Sequence, residues 1–415
     1  MKQLLLLPLL VATALASDDW PQFRGPTGDG HSDSTGLPLT WSETENVRWK
    51  TPIPGEGWSS PVVLGRQIWM TTATEDGRSL RATCADRETG KLLHDVEVFH
   101  VAEPPPKNPT NSHASPTPVL EPGRVYVCFG TSGSACLDTA TAKVIWKNTE
   151  LTLDHKEGAG SSPMIYGGLY ILHCDGRDVQ YVVALDKNTG RIVWKTKRSA
   201  ATALESKKPD FRKAFCTPQV INVGGREQLI SVGAFRAYAY EPKTGKEIWF
   251  CDICGFSNVP RPVFGHGLVY VGTGFMKPEL WAIRPDGKGD VTQTHVAWKE
   301  PKMAALKSSL ALVGDALYML HDGSGTLTCL NAKTGAQIWQ EKLGGSFSAS
   351  PIFVDGRLYF FNEKGQTTVI KPGRKFERLA TNELEAGFMA TPAVTGKAFI
   401  ARTKTHLYRI ELAGK

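Results

Sequence analysis

The sequence predicts an all-β chain: an eight-bladed β-propeller of four-stranded antiparallel blades, closed by an N-terminal strand that joins the C-terminal blade. Three observations predict it. One stretch recurs with the same signposts: "VVALDKNTGRIVWK" (182–195), "AYAYEPKTGKEIWF" (237–250), "LTCLNAKTGAQIWQ" (327–340) and, without the Gly, "SACLDTATAKVIWK" (134–147). Eight short apolar strand starts are spaced 41 to 57 residues apart along the 415-residue chain. The last copy stops one strand short, and the N-terminus has one strand to spare. Internal repeats of this length, each made of short alternating strands with Gly and aromatic signposts, are the pattern of propeller blades.

The first element, "MKQLLLLPLLVATALA" (1–16), has one basic residue, a short apolar run and a small-x-small end, so it reads as a signal peptide cleaved after Ala16. Its apolar run is too short to span a bilayer, and no Cys follows it as a lipid-attachment signal. An exported protein without an integral membrane segment is expected. A lead-in segment (17–45) then precedes the propeller (46–415). The first propeller strand, "NVRWKTPI" (46–53), carries Trp49.

The blade starts are "SSPVV" (59–63), "PTPVL" (116–120), "SSPMI" (161–165), "CTPQV" (216–220), "ASPIF" (349–353) and "ATPAV" (390–394), with degenerate copies "PRPVF" (260–264) and "SSLAL" (308–312). A second strand follows each start after a turn. The third carries a small residue and an Asp-like residue, and the fourth a Trp: Trp146, Trp194, Trp249, Trp298 or Trp339. Thr-Gly is the hairpin between strands three and four, where Gly supplies positive φ. The Trp fills the wedge between neighbouring blades, and its N–H needs an acceptor there. After "ATPAV" only two more strands follow, so residues 46–53 supply the fourth strand of that blade, and closure removes the exposed sheet edges.

The formal net charge is +7 and falls by one when Lys2 leaves with the leader. Lys and Arg are spread through turns without a run of five, which describes a solvated surface and excludes a nucleic-acid patch. Of eight cysteines, Cys84, Cys136 and Cys329 occupy the small-residue slot held by Ala184 and Ala239, as packing residues do. Cys251 and Cys254 are the only close pair; a local disulfide and two buried thiols both suit them.

The pattern A-x-D-x-x-T-G-x-x-x-W resembles the tryptophan-docking repeat of the quinoprotein-type, or PQQ-like, propellers. That family includes pyrroloquinoline-quinone (PQQ) alcohol dehydrogenases and the outer-membrane assembly lipoprotein BamB. The resemblance runs from about Trp20 to the end, and "DDWPQFRGPTGDGHS" (18–32) is similar to the family's lead-in. For a dehydrogenase it implies PQQ in the channel with Ca²⁺ and a vicinal disulfide. This chain has no Cys-Cys and is shorter than those enzymes, and no residue matches a calcium or base motif, so no catalytic or metal residue is carried over. No HExxH, GxSxG or Walker loop occurs either. The expected function is a monomeric binding or scaffold propeller without a cofactor, taking a protein or small ligand through its channel-face loops. A PQQ-dependent dehydrogenase is the alternative, and a hydrolase or lyase on the same scaffold is a third reading.

The loops that enter the inner strands carry the ligand-binding candidates Trp58, Asn111, His113, His155, Glu157, Arg212 and Asn258, with Lys156, Lys307 and Phe388 beside them. His with Glu suits a metal, Arg with Lys a carboxylate, and Trp a planar ring or a channel plug. The plain alternative is that polar loops at a channel mouth stay solvated. Two inserts, proline-rich 98–115 and basic 196–215 with a short helix near Ala200–Lys207, are expected to form a partial lid.

Overall fold

A computed structural model of the chain describes residues 18–199, 208–276, 278–302 and 304–413. The expected leader (1–16) and the expected helix near Ala200–Lys207 lie outside the described residues. Eight sheets, each built on four antiparallel strands, form the ring. Blade one is Val62–Leu64, Gln67–Ala73, Ser79–Asp86 and Leu92–His100. Blade eight is Ala393–Thr395, Ala398–Arg402 and His406–Glu411, completed by Val47–Pro52 from the N-terminus. That closing pair is antiparallel, with Trp49 opposite Arg409 and Thr51 opposite Leu407. Two blades gain a short parallel strand: His31–Ser32 beside Ile352–Val354, and Gly289–Asp290 beside Glu247–Asp252.

The repeat's signposts each have a physical job. Asp186 Oδ1 accepts the N–H groups of Asn188 (3.0 Å) and Thr189 (2.9 Å) and the hydroxyl of Thr189 (3.0 Å). The carboxylate thus closes the hairpin that leads into the fourth strand, as Asp86 and Asp138 do in their own turns. Gly190 has φ +72, and a Cβ there would lie 2.5 Å from Trp146 of the preceding blade. Trp146 Nε1 donates to Lys187 O in the same turn (2.9 Å). Gly and Trp are therefore two halves of one joint between blades. Trp49, Trp194 and Trp298 pack the same way on Gly90, Gly245 and Gly335.

The indole N–H groups of Trp49, Trp298 and Trp339 reach Arg87 O, Ala332 O and Gly373 O of the next blade. Trp249 differs: it is fully buried and donates to Gln228 Oε1 (2.8 Å), whose amide donates to Pro285 O. Trp194 keeps its packing but its N–H finds no acceptor.

The core is distributed as slabs between neighbouring blades, such as Tyr126, Trp146 and Tyr170, with ring centroids 5.8 to 6.2 Å apart. Cys84, Cys136 and Cys329 are fully buried in these slabs as small apolar residues. No disulfide joins Cys251 and Cys254; the first is buried and the second half-buried beside Thr273 Oγ1.

The inserts begin later than the sequence suggests. The fourth strand of blade one runs on to His100, because Val98 and Phe99 are buried and Phe99 meets Phe129 edge-on at 6.0 Å. The fourth strand of blade three likewise runs to Lys197, and Pro209–Arg212 forms a single 3₁₀ turn. Among the described residues no helix is long and apolar enough to cross a membrane.

Candidate functional site

The Ser or Thr that opens seven of the eight blades builds the wall of the channel. The N–H of Ser60 donates to Thr117 Oγ1 (3.0 Å), that of Thr117 to Ser162 Oγ (3.0 Å), and that of Ser162 to Thr217 Oγ1 (3.0 Å). Beyond Arg261, which stands in the fifth blade's place and donates to Ser309 Oγ (3.1 Å), the series runs on through Ser350 and Thr391 and returns to Ser60. Seven hydroxyls are thus tied into a belt with the same sense from blade to blade. Except at Leu310, the next residue is Pro, which needs no N–H partner at a strand start and holds its predecessor extended.

The lead-in segment crosses beneath this belt. Leu120 donates to Pro21 O, the Arg261 guanidinium to Phe23 O (2.6 Å), the Arg24 guanidinium to Leu310 O (2.7 Å), and Phe353 to Gly30 O. All these partners sit on the inner strands at or past the belt, so the segment closes the channel on the side away from the inter-blade loops. Arg24 and Arg261 are fully buried against carbonyls, and burial pulls both below the usual guanidinium range, to about 10 and about 9.

Above the belt the channel opens into a cup of about 710 Å³ with Phe23 in its lining. Trp58, Asn111, Lys156, Glu157 and Lys307 line the cup. Trp58 is anchored by its indole N–H on Thr110 O (3.2 Å). His113 and His155 line a separate cavity behind it. Asn258 is fully buried, and its amide is committed to Gly233 O (2.6 Å). Phe388 is a core residue against Phe361. Arg212 is half-buried in the 3₁₀ turn and lines neither cavity.

Sequence reasoning missed the belt hydroxyls, Lys213, Asp210 and an aromatic wall of Phe211, Phe215, Phe256 and Phe275. The Ser/Thr-Pro starts were visible, but their hydroxyls meet only once the ring is closed. Phe211 and Phe256 pack edge-on at 4.7 Å, and Phe275 is 58% exposed at the rim.

The charges at the cup are already spent on one another. Lys213 donates to Glu157 Oε1 (2.8 Å), Lys156 to Asp210 Oδ2 (2.6 Å), and Lys307 to Glu363 Oε1 (2.9 Å). Burial alone would raise the Glu157 and Glu363 carboxyls, but the lysine bonds hold both below the usual range. Asp210 is held low chiefly by its bond from Lys156. Glu157 also accepts from Asn108 Nδ2 (2.9 Å), tying the proline-rich insert to the 149–160 segment. These donors do not suit a calcium-held quinone, since each carboxylate is engaged by a lysine. Among the described residues no three His, Cys, Asp or Glu converge as metal ligands.

The fold and its docking joints define a PQQ-like repeat propeller. The family described as "Outer membrane protein assembly factor BamB" matches residues 83–249 and 178–415, and the chain belongs to it. It is 19% identical over 355 residues to tetrathionate hydrolase of Acidithiobacillus ferrooxidans, covering 77% of this chain and 66% of that one. It is 30% identical over 194 residues to quinoprotein ethanol dehydrogenase of Pseudomonas aeruginosa, covering 43% of this chain and 28% of that one. The chain thus spans less than two thirds of the length of these curated relatives. The crystal structure of BamB from Moraxella catarrhalis matches with a TM-score of 0.57 at 12% identity, over 88% of this chain and 99% of that one, a likeness of fold.

Proposed function

We propose that the protein is an exported binding propeller, released after Ala16 and monomeric, whose channel-face cup holds a small organic ligand or a segment of a protein partner. The observation that carries this reading is the pairing at the cup: Glu157, Asp210 and Glu363 each hold a lysine at 2.6 to 2.9 Å. No carboxylate among them is left as an unpaired base, while the belt offers hydroxyls and the rim offers apolar rings. Such a cup suits a ligand with hydrogen-bonding groups on one side and a flat apolar face on the other. Trp58, Asn111 and Glu157 are its proposed contacts, joined by Lys213 and Phe211.

A PQQ-dependent dehydrogenase is the second reading, and the 30% identity to quinoprotein ethanol dehydrogenase over 194 residues favours it. One experiment separates the two. The protein beginning at Ser17 is titrated with PQQ and Ca²⁺ while the quinone absorbance and Tm are followed. The binding reading expects neither to change. Saturable absorbance changes with a raised Tm overturn it in favour of the dehydrogenase. Intact-mass analysis of protein recovered from its producing cell checks removal of residues 1–16, and sizing chromatography checks the monomer.

A further inference from the structure

Behind Lys156, between the proline-rich insert and the 149–160 segment, lies a cavity of about 190 Å³. We propose that it is a second binding site, for a small uncharged molecule with an apolar, ring-sized body and a single hydroxyl group. The proposal stands apart from the reading of the central cup.

His155 lines this cavity. This side chain is 9% exposed, and neither Nδ1 nor Nε2 has a hydrogen-bond partner among the described residues. A neutral imidazole has one donor and one acceptor, and leaving both buried and unmade costs about 1–3 kcal/mol for each. Buried polar atoms of this kind need an occupant. Phe215 backs one face of the ring, with centroids 6.2 Å apart. His155 also borders a void of about 20 Å³ shared with His173, Cys128 and Cys174. That void has room for a single water, which serves one ring nitrogen at most. The larger cavity is left to serve the other.

The cavity sets the occupant's chemistry. The wall is mostly apolar, with Leu80, Pro105, Pro106, Phe129 and Leu153 in it beside the hydroxyls of Thr131 and Ser132, so the body is apolar. An apolar cavity of roughly 150 Å³ takes benzene, and 190 Å³ leaves a little more. His113, packed on Gly77, is the second imidazole in the lining. Both imidazoles are neutral near pH 7, because burial lowers His155 to about 4 and moves His113 in the same direction. Asp154 and Lys156 also line the cavity, but Asp154 is paired with Arg177 (3.2 Å) and Lys156 with Asp210 (2.6 Å). Among the described residues no unspent charge faces inward to hold an ion. A hydroxyl both gives and accepts a hydrogen bond, which matches an imidazole whose two nitrogens differ.

Phenol is the probe. Calorimetric titration of the full protein from Ser17 is expected to give saturable, one-to-one binding. Benzene, without the hydroxyl, should bind roughly tenfold more weakly, the worth of about one net hydrogen bond. Benzoate should not bind. His155→Phe keeps an aromatic ring and should weaken phenol binding roughly tenfold or more, whereas His155→Gln, with a donor and an acceptor, should recover part of that loss. A crystal structure with phenol should place its ring among Pro105, Pro106 and Leu153. Phenol found in the central cup alone, benzene binding as tightly as phenol, or waters on both His155 nitrogens of phenol-treated crystals would overturn the proposal. The benzene and phenol comparison and the crystal structure with phenol need no variant, so together they decide the matter even if His155→Phe does not fold.

Discussion

Replacing Gly190 by Ala perturbs one joint between blades and nothing else. Two costs are expected. At φ +72 an alanine gives up about 1 kcal/mol relative to glycine for the left-handed backbone alone. The added Cβ would also lie 2.5 Å from Trp146 Cε3 and 2.7 Å from Cδ2. That ring cannot easily retreat, because its N–H is held by Lys187 O and Tyr170 stands edge-on against it at 5.8 Å. Overpacking of this kind costs about 1–3 kcal/mol, so the total is about 2–4 kcal/mol. Gly167→Ala separates the two costs, since Gly167 has φ +56 and no atom within 4 Å of a Cβ, and about 1 kcal/mol is expected there. Trp146→Ala should cost about 3–5 kcal/mol. In that background Gly190→Ala should fall back to the value seen at Gly167. Urea unfolding followed by circular dichroism reads all four proteins, with the slope unchanged. If Gly190→Ala and Gly167→Ala shift the midpoint equally, the Trp–Gly joint is not what holds these blades together.

Other outcomes follow from the same geometry. Thr217→Val keeps the shape but leaves the Ser162 N–H without its acceptor at 3.0 Å; a loss of about 1–3 kcal/mol and faster amide exchange at Ser162 are expected, with Thr217→Ser nearly neutral. Because burial lowers His155 from 6.5 to about 4, the unfolded chain binds the extra proton between those values. Stability should therefore be complete above pH 6.5 and drain away toward pH 4, by up to about 3 kcal/mol, and urea midpoints across this range should be flatter in His155→Phe. The PQQ and phenol titrations test the cup and the side cavity separately.

What was legible in the sequence was what repeats. Asp186, Thr189, Gly190 and Trp194 sit in one short stretch, so hairpin, blade phase and docking residue could be read together. Trp49 in a strand without a sheet pointed to ring closure. Trp249 looked like the other docking residues, but its acceptor depends on Gln228 and Pro285, which no local pattern announces. The site was less legible because it is made by convergence. His113 and Asn111 are two residues apart, yet Asn111 faces the cup and His113 the cavity behind it. Asn258 lay in the right loop but spends its amide on Gly233. Arg24 meets Leu310 across 286 residues of chain, a contact that exists only in the closed ring.

The blade that closes the ring also gives it a seam. Val47 lies opposite Ile410 and Pro52 opposite His406, about 360 residues apart along the chain. By the logarithmic cost of loop closure, joining such distant strands is only about 2 kcal/mol dearer in chain entropy than closing one blade of about 45 residues. The direction of the two strands matters more. Running antiparallel, they leave the sheet at the same end, the N-terminal side of Val47 beside the C-terminal side of Glu411. Once the lead-in segment is released, tension between the two ends would fall on one rung of the ladder at a time. Under load the ring would unzip along this seam, peeling strand from strand at low force, while the other seven blades bear tension only after it has parted.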